Sequence, residues 1–402
     1  GCDPLDTTRC LLPFPSNAST VADPSSGTGL RVAFPQGSLG SNVDGVAIDV
    51  SEWNRNDGFS PNSELLTFVA GLDAGASNVP SWTDIGASLA PDSPVVVVDG
   101  ATGERIPLWA EVDSQAEADE DRLLSIRPAV ALAEGHTFAV GLRGLVDTSG
   151  AAIGPSATFR VYRDALTTTI DAVEARRPSM EAALSALDAA GVTRADLQLA
   201  WDFTVASTDG FAGRMLHIRD EALDALGDSA PTYTVTEVVP NAEEGIALQV
   251  KGTFTVPNFL ENDGSPGNAF HYDDTSPDAL PTMNGTLEAP FMCNISDATM
   301  SGSEPAHLVQ YGHGLLGGHD EINAGNVRAM SNEHNAVYCA TKWAGMSEDD
   351  VANAASTLAE FGNFRTIADR LQQGVLNQIY LGRLMTRIGG LVDDPNFQRA
   401  DG

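Results

Sequence analysis

The sequence predicts a multidomain chain with an N-terminal segment and β-sandwich over residues 1–163, a helical bridge over 164–230 and an α/β layer domain over 231–402. Three observations lead there. A chain of 402 residues exceeds one ordinary domain and can bury more than one core. Its first part shows short apolar runs broken by Gly, Pro, Asp and Ser, whereas its last part alternates strand-like with helix-like patterns. Between them the apolar period lengthens from two residues to between three and four.

In the first region strands are expected at Pro94 to Val98, Ile106 to Val112, Arg122 to Arg127, His136 to Leu142 and Ala157 to Tyr162. The bridge is expected to hold one helix through Ile170, Val173, Met180, Ala183, Leu184 and Leu187, broken by Pro178. A second helix runs from Met215 to Leu226, and Leu197 to Val205 alternates like a strand between the two. In the third region strands are expected at Tyr233 to Val239, Ala247 to Val256, Leu287 to Ile295, His307 to Tyr311 and Ala336 to Trp343, with helices after the last two. The loop from Asn258 to Asn284 is rich in turn residues and reads as a functional surface loop or a mobile one. Its acidic residues Glu261, Asp263, Asp273 and Asp274 lack the spacing of a calcium loop and read as solvated. The segment Arg365 to Ile388 is a helix apolar on more than one side, which serves either as core packing or as a lid over an acyl pocket.

The balance of 55 acidic against 22 basic residues gives a formal charge of -33, which repels phosphate backbones and excludes nucleic acid as a partner. No window approaches the roughly 20 apolar residues of a membrane span, and no signal segment opens the sequence, so it reads as a mature soluble product. The four cysteines form two separated groups without a metal-ligand spacing. Two disulfides in a secreted or cell-surface protein are expected. Cys2 and Cys10 flank a short turn containing Pro4, which suits a local bridge. Gly1-Cys2 also has the form of a lipoprotein processing site, in which an acylated Cys2 would attach the chain to a membrane.

The sharpest chemical feature is Leu308-Val-Gln-Tyr-Gly-His-Gly-Leu-Leu-Gly317, an apolar strand running into a glycine-rich turn that carries a histidine. Backbone N–H groups fixed in such a turn are suited to stabilise the tetrahedral oxyanion of acyl transfer. A strand-to-helix turn of this kind also suits phosphate, but neither G-x-G-x-x-G nor a Walker pattern fits and the loop has no lysine, so no cofactor is expected.

The segment resembles the H-G-L oxyanion loop of α/β-hydrolase lipases. The resemblance implies that the Leu315 N–H donates to the oxyanion, that Gly314 lets the backbone approach, and that His313 holds the loop and is not the catalytic base. Leu123-Leu-Ser-Ile-Arg-Pro128, Leu132-Ala-Glu-Gly-His-Thr-Phe-Ala-Val140 and Leu145-Val-Asp-Thr-Ser-Gly150 resemble the closing strands of bacterial Ig-like domains. Together with Leu11-Leu-Pro-Phe-Pro-Ser16 and Asn56-Asp-Gly-Phe-Ser60, the chain is similar to bacterial virulence-factor-type extracellular lipases and esterases, with a β-domain before an α/β-hydrolase. A hydrolase acting on lipid or other esters is implied. The family's strand order begins 1, 2, 4, 3, which would make the strands of Cys293 and Cys339 neighbours and a bridge between them reasonable.

The sequence departs from that pattern in having no G-x-S-x-G nucleophile elbow. The nearest match, Gly345-Met-Ser-Glu-Asp349, lacks the second glycine, and Ser347 followed by Glu348, Asp349 and Asp350 reads as a helix N-cap. His319 and His334 read as loop and surface residues, and His307 as part of its strand. The family pattern puts the catalytic Ser, Asp and His beyond residue 402, so this chain is expected to be inactive alone, or active with a C-terminal chain that completes the site. The rival is a non-catalytic extracellular surface or assembly protein that keeps a hydrolase-like fold.

Overall fold

A computed structural model describes residues 3–118 and 121–398. The chain is mixed α/β and forms two compact units, residues 1–40 with 50–212 and residues 41–49 with 213–402. The division falls inside one helix, Thr208–Leu226. Of the residues expected as a bridge, 164–212 fall with the first unit and 213–230 with the second.

The first unit begins with a hairpin of β1 (Thr20–Ala22) and β2 (Leu30–Val32). The strands β3 (Leu65–Thr67), β4 (Val95–Asp99), β5 (Leu108–Val112), β6 (Leu124–Pro128), β7 (Thr137–Arg143) and β8 (Leu197–Thr204) form two antiparallel sheets of order β3-β6-β5 and β4-β7-β8. All five residues of β4 are buried, as a strand covered on both faces requires. One apolar cluster joins Leu65, Ile126 and Leu108 of one sheet to Val96, Phe138 and Trp201 of the other, and to Met180, Leu184 and Leu187 of a helix.

Two expectations fail in this unit. Ala157–Arg163 is helix α1, not a strand. The Ser156 hydroxyl caps it by accepting from the Phe159 N–H at 3.1 Å, and Phe159 and Tyr162, three apart, both turn inward. Helix α2 (Asp171–Ala189) passes through Pro178 unbroken. An interior proline costs about 3 kcal/mol, but Val173, Met180, Leu184 and Leu187 are buried along the helix, each contributing about 1.5–3 kcal/mol. Packing outweighs the lost hydrogen bond.

The second unit starts within α3 (Thr208–Leu226) and carries β9 (Tyr233–Glu243), β10 (Ile246–Pro257), β11 (Thr286–Ser296), α4 (Asp297–Ser301), β12 (His307–Tyr311), α5 (Gly325–Glu333), β13 (Ala336–Thr341), α6 (Val351–Ala359) and α7 (Arg365–Thr386). Its sheet has the order β12-β13-β11-β10-β9, antiparallel throughout except for the parallel pair β12–β13. Strand alternation divides the sheet between two layers. Phe291, Cys293 and Ile295 face a cluster with Ile218 and Ala222 of α3 and Leu376, Leu381 and Leu384 of α7. Met292 faces Ile322 and Val327 on the other side.

Cys293 and Cys339 are opposed in register on β11 and β13, disulfide-bonded, with their Cα atoms 4.1 Å apart. That lies inside the limit of about 7 Å for a bridge, and it makes the two strands neighbours as expected. The bond is consistent with an extracellular protein. The expected Cys2–Cys10 bridge and the lipidation reading both fall on Cys2, which lies outside the described residues. No helix of the described residues is long and apolar enough to cross a membrane.

Helix α7 does more than pack. Asp369, Arg370, Gln373 and Asn377 are buried on it beside Leu376, Tyr380, Leu381 and Leu384. The first three anchor the 258–284 loop: Asp369 accepts from the Phe270 N–H at 3.0 Å, Gln373 accepts from the Phe259 N–H at 3.0 Å, and Arg370 donates to the Gly264 carbonyl. Phe259, Leu260 and Phe270 join the core, so this stretch of the loop is held from beneath. Among the described residues no group of three His, Cys, Asp or Glu side chains is arranged to hold a metal ion.

Candidate functional site

Strand β12 delivers the chain into a turn at Gly312–Gly318. His313 is buried, and its ring bonds on both sides. Nε2 accepts from the Trp343 N–H at 2.9 Å, since a backbone N–H can only donate. Nδ1 therefore carries the proton and donates to the Gly314 carbonyl at 2.8 Å. With both nitrogens engaged, the ring fastens this turn to the segment after β13 and has no lone pair left to take a proton from a nucleophile.

The next four residues form a β-turn closed by Gly317 N–H to Gly314 O at 3.1 Å. Leu316 stands at φ 59°, and Leu315 is not among the residues of positive φ, which is the type II pattern with Leu316 in the position that glycine usually takes. The turn is held at both ends. Leu316 N–H donates to Met346 O at 2.7 Å, and Glu348 N–H donates to Gly317 O at 2.8 Å. Glu321 braces it from below, accepting from the Gly314 N–H at 3.2 Å and the Tyr311 hydroxyl at 3.4 Å. A Cβ on Gly317 would lie 1.9 Å from Glu321 Oε1, so any other residue here would push the bracing carboxylate aside. Against these bonds, the Leu315 N–H has no acceptor among the described residues, and its residue is 80% exposed.

Ser347 is in a different state. It is buried, and its hydroxyl donates to Asp350 Oδ2 at 2.9 Å in a capping box that opens the turn before α6. The same oxygen accepts from the Gly345 and Ser347 N–H groups at 2.9 and 3.1 Å, while Asp350 Oδ1 accepts from Arg370 Nε at 2.8 Å. Glu348 and Asp349 turn the other way, onto the Lys342 ammonium at 2.9 Å each. Burial pushes that ammonium down, and the hydrogen bonds of Asp349 and Glu348 outweigh it, leaving Lys342 above its ordinary range.

His319 sits in the short 3-10 helix His319–Asn323 with its Nδ1 buried and without a partner among the described residues. Burial, then the Lys342 charge, hold its ring below the usual histidine range, so it is neutral at neutral pH. His307 opens β12 and His334 ends α5, both exposed. Among the described residues no serine hydroxyl bonds a histidine ring; the nearest arrangement is His271 Nδ1 against the Thr282 hydroxyl at 3.0 Å, in the 258–284 loop.

The structure thus brings His313, Gly314, Leu315 and Ser347 into two paired segments, linked by the Gly317–Ser347 bridge. Sequence reasoning missed Glu321, whose signal was an acidic residue just after a glycine pair, and it missed the partner atoms Trp343 N and Met346 O, which leave no mark in side-chain identity. What the arrangement offers chemically is the Leu315 N–H, without an acceptor among the described residues, on a pinned turn beside a braced histidine. The chain matches no protein-family model, no curated protein and no solved structure.

Proposed function

We propose that this chain carries part of the active site of a secreted carboxylic-ester hydrolase, of the lipase or esterase type, with the Leu315 N–H as an oxyanion donor. The single observation that carries the reading is that unengaged N–H, in a turn whose neighbouring donors Gly314, Leu316 and Gly317 are all bonded. A preorganised donor of this kind needs no reorganisation as charge develops on a carbonyl oxygen. The sheet supports the reading: numbered from β10, the strands follow the order 1, 2, 4, 3 of the α/β-hydrolase layer. The two sheets of the first unit support an Ig-like β-domain ahead of it. In this reading Ser347 is a capping residue, and the nucleophilic serine, its histidine and its carboxylate come from outside these 402 residues.

Proline is favoured at position 315, the second residue of a type II turn, and it deletes only the N–H. In the protein as its gene encodes it, Leu315→Pro is expected to lower kcat for p-nitrophenyl butyrate about 10²–10³-fold with unchanged thermal unfolding. Full activity in that variant sinks the oxyanion role. A complete absence of ester turnover in the wild type supports the rival, a non-catalytic surface protein, for which the locked Ser347 hydroxyl speaks.

A further inference from the structure

Helix α6 reverses the usual arrangement of a surface helix. Its buried position is Thr357, and Asn353 and Ala354 are half-buried, whereas Val351, Ala352, Ala355, Ser356, Leu358 and Ala359 are exposed. At 100° per residue the five apolar ones fall within one stripe of about 120°, with Ser356 at its edge. Leu358 is 79% exposed, and no described side chain covers it. Exposed apolar residues flank the helix: Phe364 follows it, Leu315 stands on the turn bonded to the residues that open it, and Val43 lies on a segment tied to its end by Asn42 Nδ2 donating to Glu360 Oε2 at 2.7 Å. An exposed apolar helix face with further exposed apolar residues on the segments bonded to its ends, on a chain with a formal charge of -33, calls for an occupant.

We infer that the exposed face of α6 inserts into an uncharged lipid surface, one of zwitterionic or neutral headgroups. The charge pattern selects that occupant. Helices that bind anionic bilayers carry Lys and Arg on the polar face, and α6 carries no charged residue at all. On its flanks Glu348, Asp349 and Glu360 outnumber Lys342, which the first two share, and Arg365, and with the formal charge of -33 this repels an anionic surface. A second copy meets the same repulsion, since each carries the same net negative charge. Asn353, Ser356 and Thr357 form the helix's polar side, which leaves apolar insertion as the attraction. The inference deepens the ester-hydrolase reading by naming the form in which substrate is presented, and it stands on the α6 surface itself, so binding and turnover fail separately.

The test is co-sedimentation of the full chain with small vesicles of ether-linked phosphatidylcholine, whose tails offer no ester to cleave, against vesicles of phosphatidylglycerol. Binding to phosphatidylcholine is expected to persist in high salt and to exceed binding to phosphatidylglycerol. Leu358→Asp is expected to weaken it at least about ten-fold, while Met330→Asp, on exposed α5, leaves it unchanged. Thermal unfolding of both variants checks the fold, and the milder Val351→Ser is expected to weaken binding in the same direction if Leu358→Asp unfolds. Equal binding by wild type and both α6 variants, stronger binding to phosphatidylglycerol, or a dimer that Leu358→Asp dissolves each overturns it.

Discussion

The turn at Gly312–Gly318 and the turn at Trp343–Asp350 lie side by side, share backbone bonds and contain the two serine-hydrolase suspects of this sequence, yet they are finished differently. In the second, the Gly345 and Ser347 N–H groups and the Ser347 hydroxyl all converge on one buried carboxylate. In the first, the Gly314, Leu316 and Gly317 N–H groups are bonded and the Leu315 N–H has no acceptor among the described residues. A fully satisfied network holds a fold together, while an unspent donor on a rigid frame is available for chemistry. Residue type alone would rank the serine above the leucine; hydrogen-bond accounting reverses the order.

That contrast can be broken by substitution, and the largest effect is expected at Asp350. Asp350→Ala leaves Arg370 buried and unpaired and strips acceptors from the second turn, which should cost about 3–5 kcal/mol in urea unfolding. A loss near zero would mean the capping network is ornamental. Comparable in size but confined to turnover is the effect of Leu315→Pro described above. His313→Ala removes the ring that joins both turns and leaves the Trp343 N–H without its acceptor, an expected loss of about 1–3 kcal/mol by the same measurement. Ser347→Ala should cost about 0.5–2 kcal/mol as a lost cap and leave ester turnover in place; abolished turnover in a folded variant would restore Ser347 as a nucleophile.

The smallest expected effect is pH-dependent. His319 has its folded pKa held below the ordinary 6.5, so the neutral ring is favoured in the fold. Its contribution is then fully present above pH 6.5 and is lost as pH falls through the folded value. Tm measured from pH 8 to pH 4 should therefore fall less steeply in His319→Gln than in the wild type. Identical slopes would remove His319 from the acid response.

Periodicity made the second unit's strands legible, and β12 spans His307–Tyr311 as expected. It failed at Ala157–Arg163, where alternating apolar and polar residues fit a strand as well as a capped helix, and at Pro178, where burial of distant partners outweighs a local penalty. In the site, the glycines and His313 announced a special turn. The Ser347 cap was visible from the acidic run behind it, but the depth of its burial was not, because Arg370 reaches Asp350 from twenty residues away. The exposed face of α6 was invisible for a related reason: an apolar stripe in a sequence says that a helix has two sides, and only the fold says which one faces water.

The Cys293–Cys339 bond closes a covalent ring with a sequence separation of 46, and the whole Gly312–Gly318 turn lies inside it, along with β12 and α5. Chain-entropy arithmetic credits a ring of that size with about 4 kcal/mol. Its topological effect is more specific. A single protease cut anywhere between the two cysteines would open the backbone without parting the fragments, so the turn and the segment it is pinned to would remain one molecule until a reductant arrives.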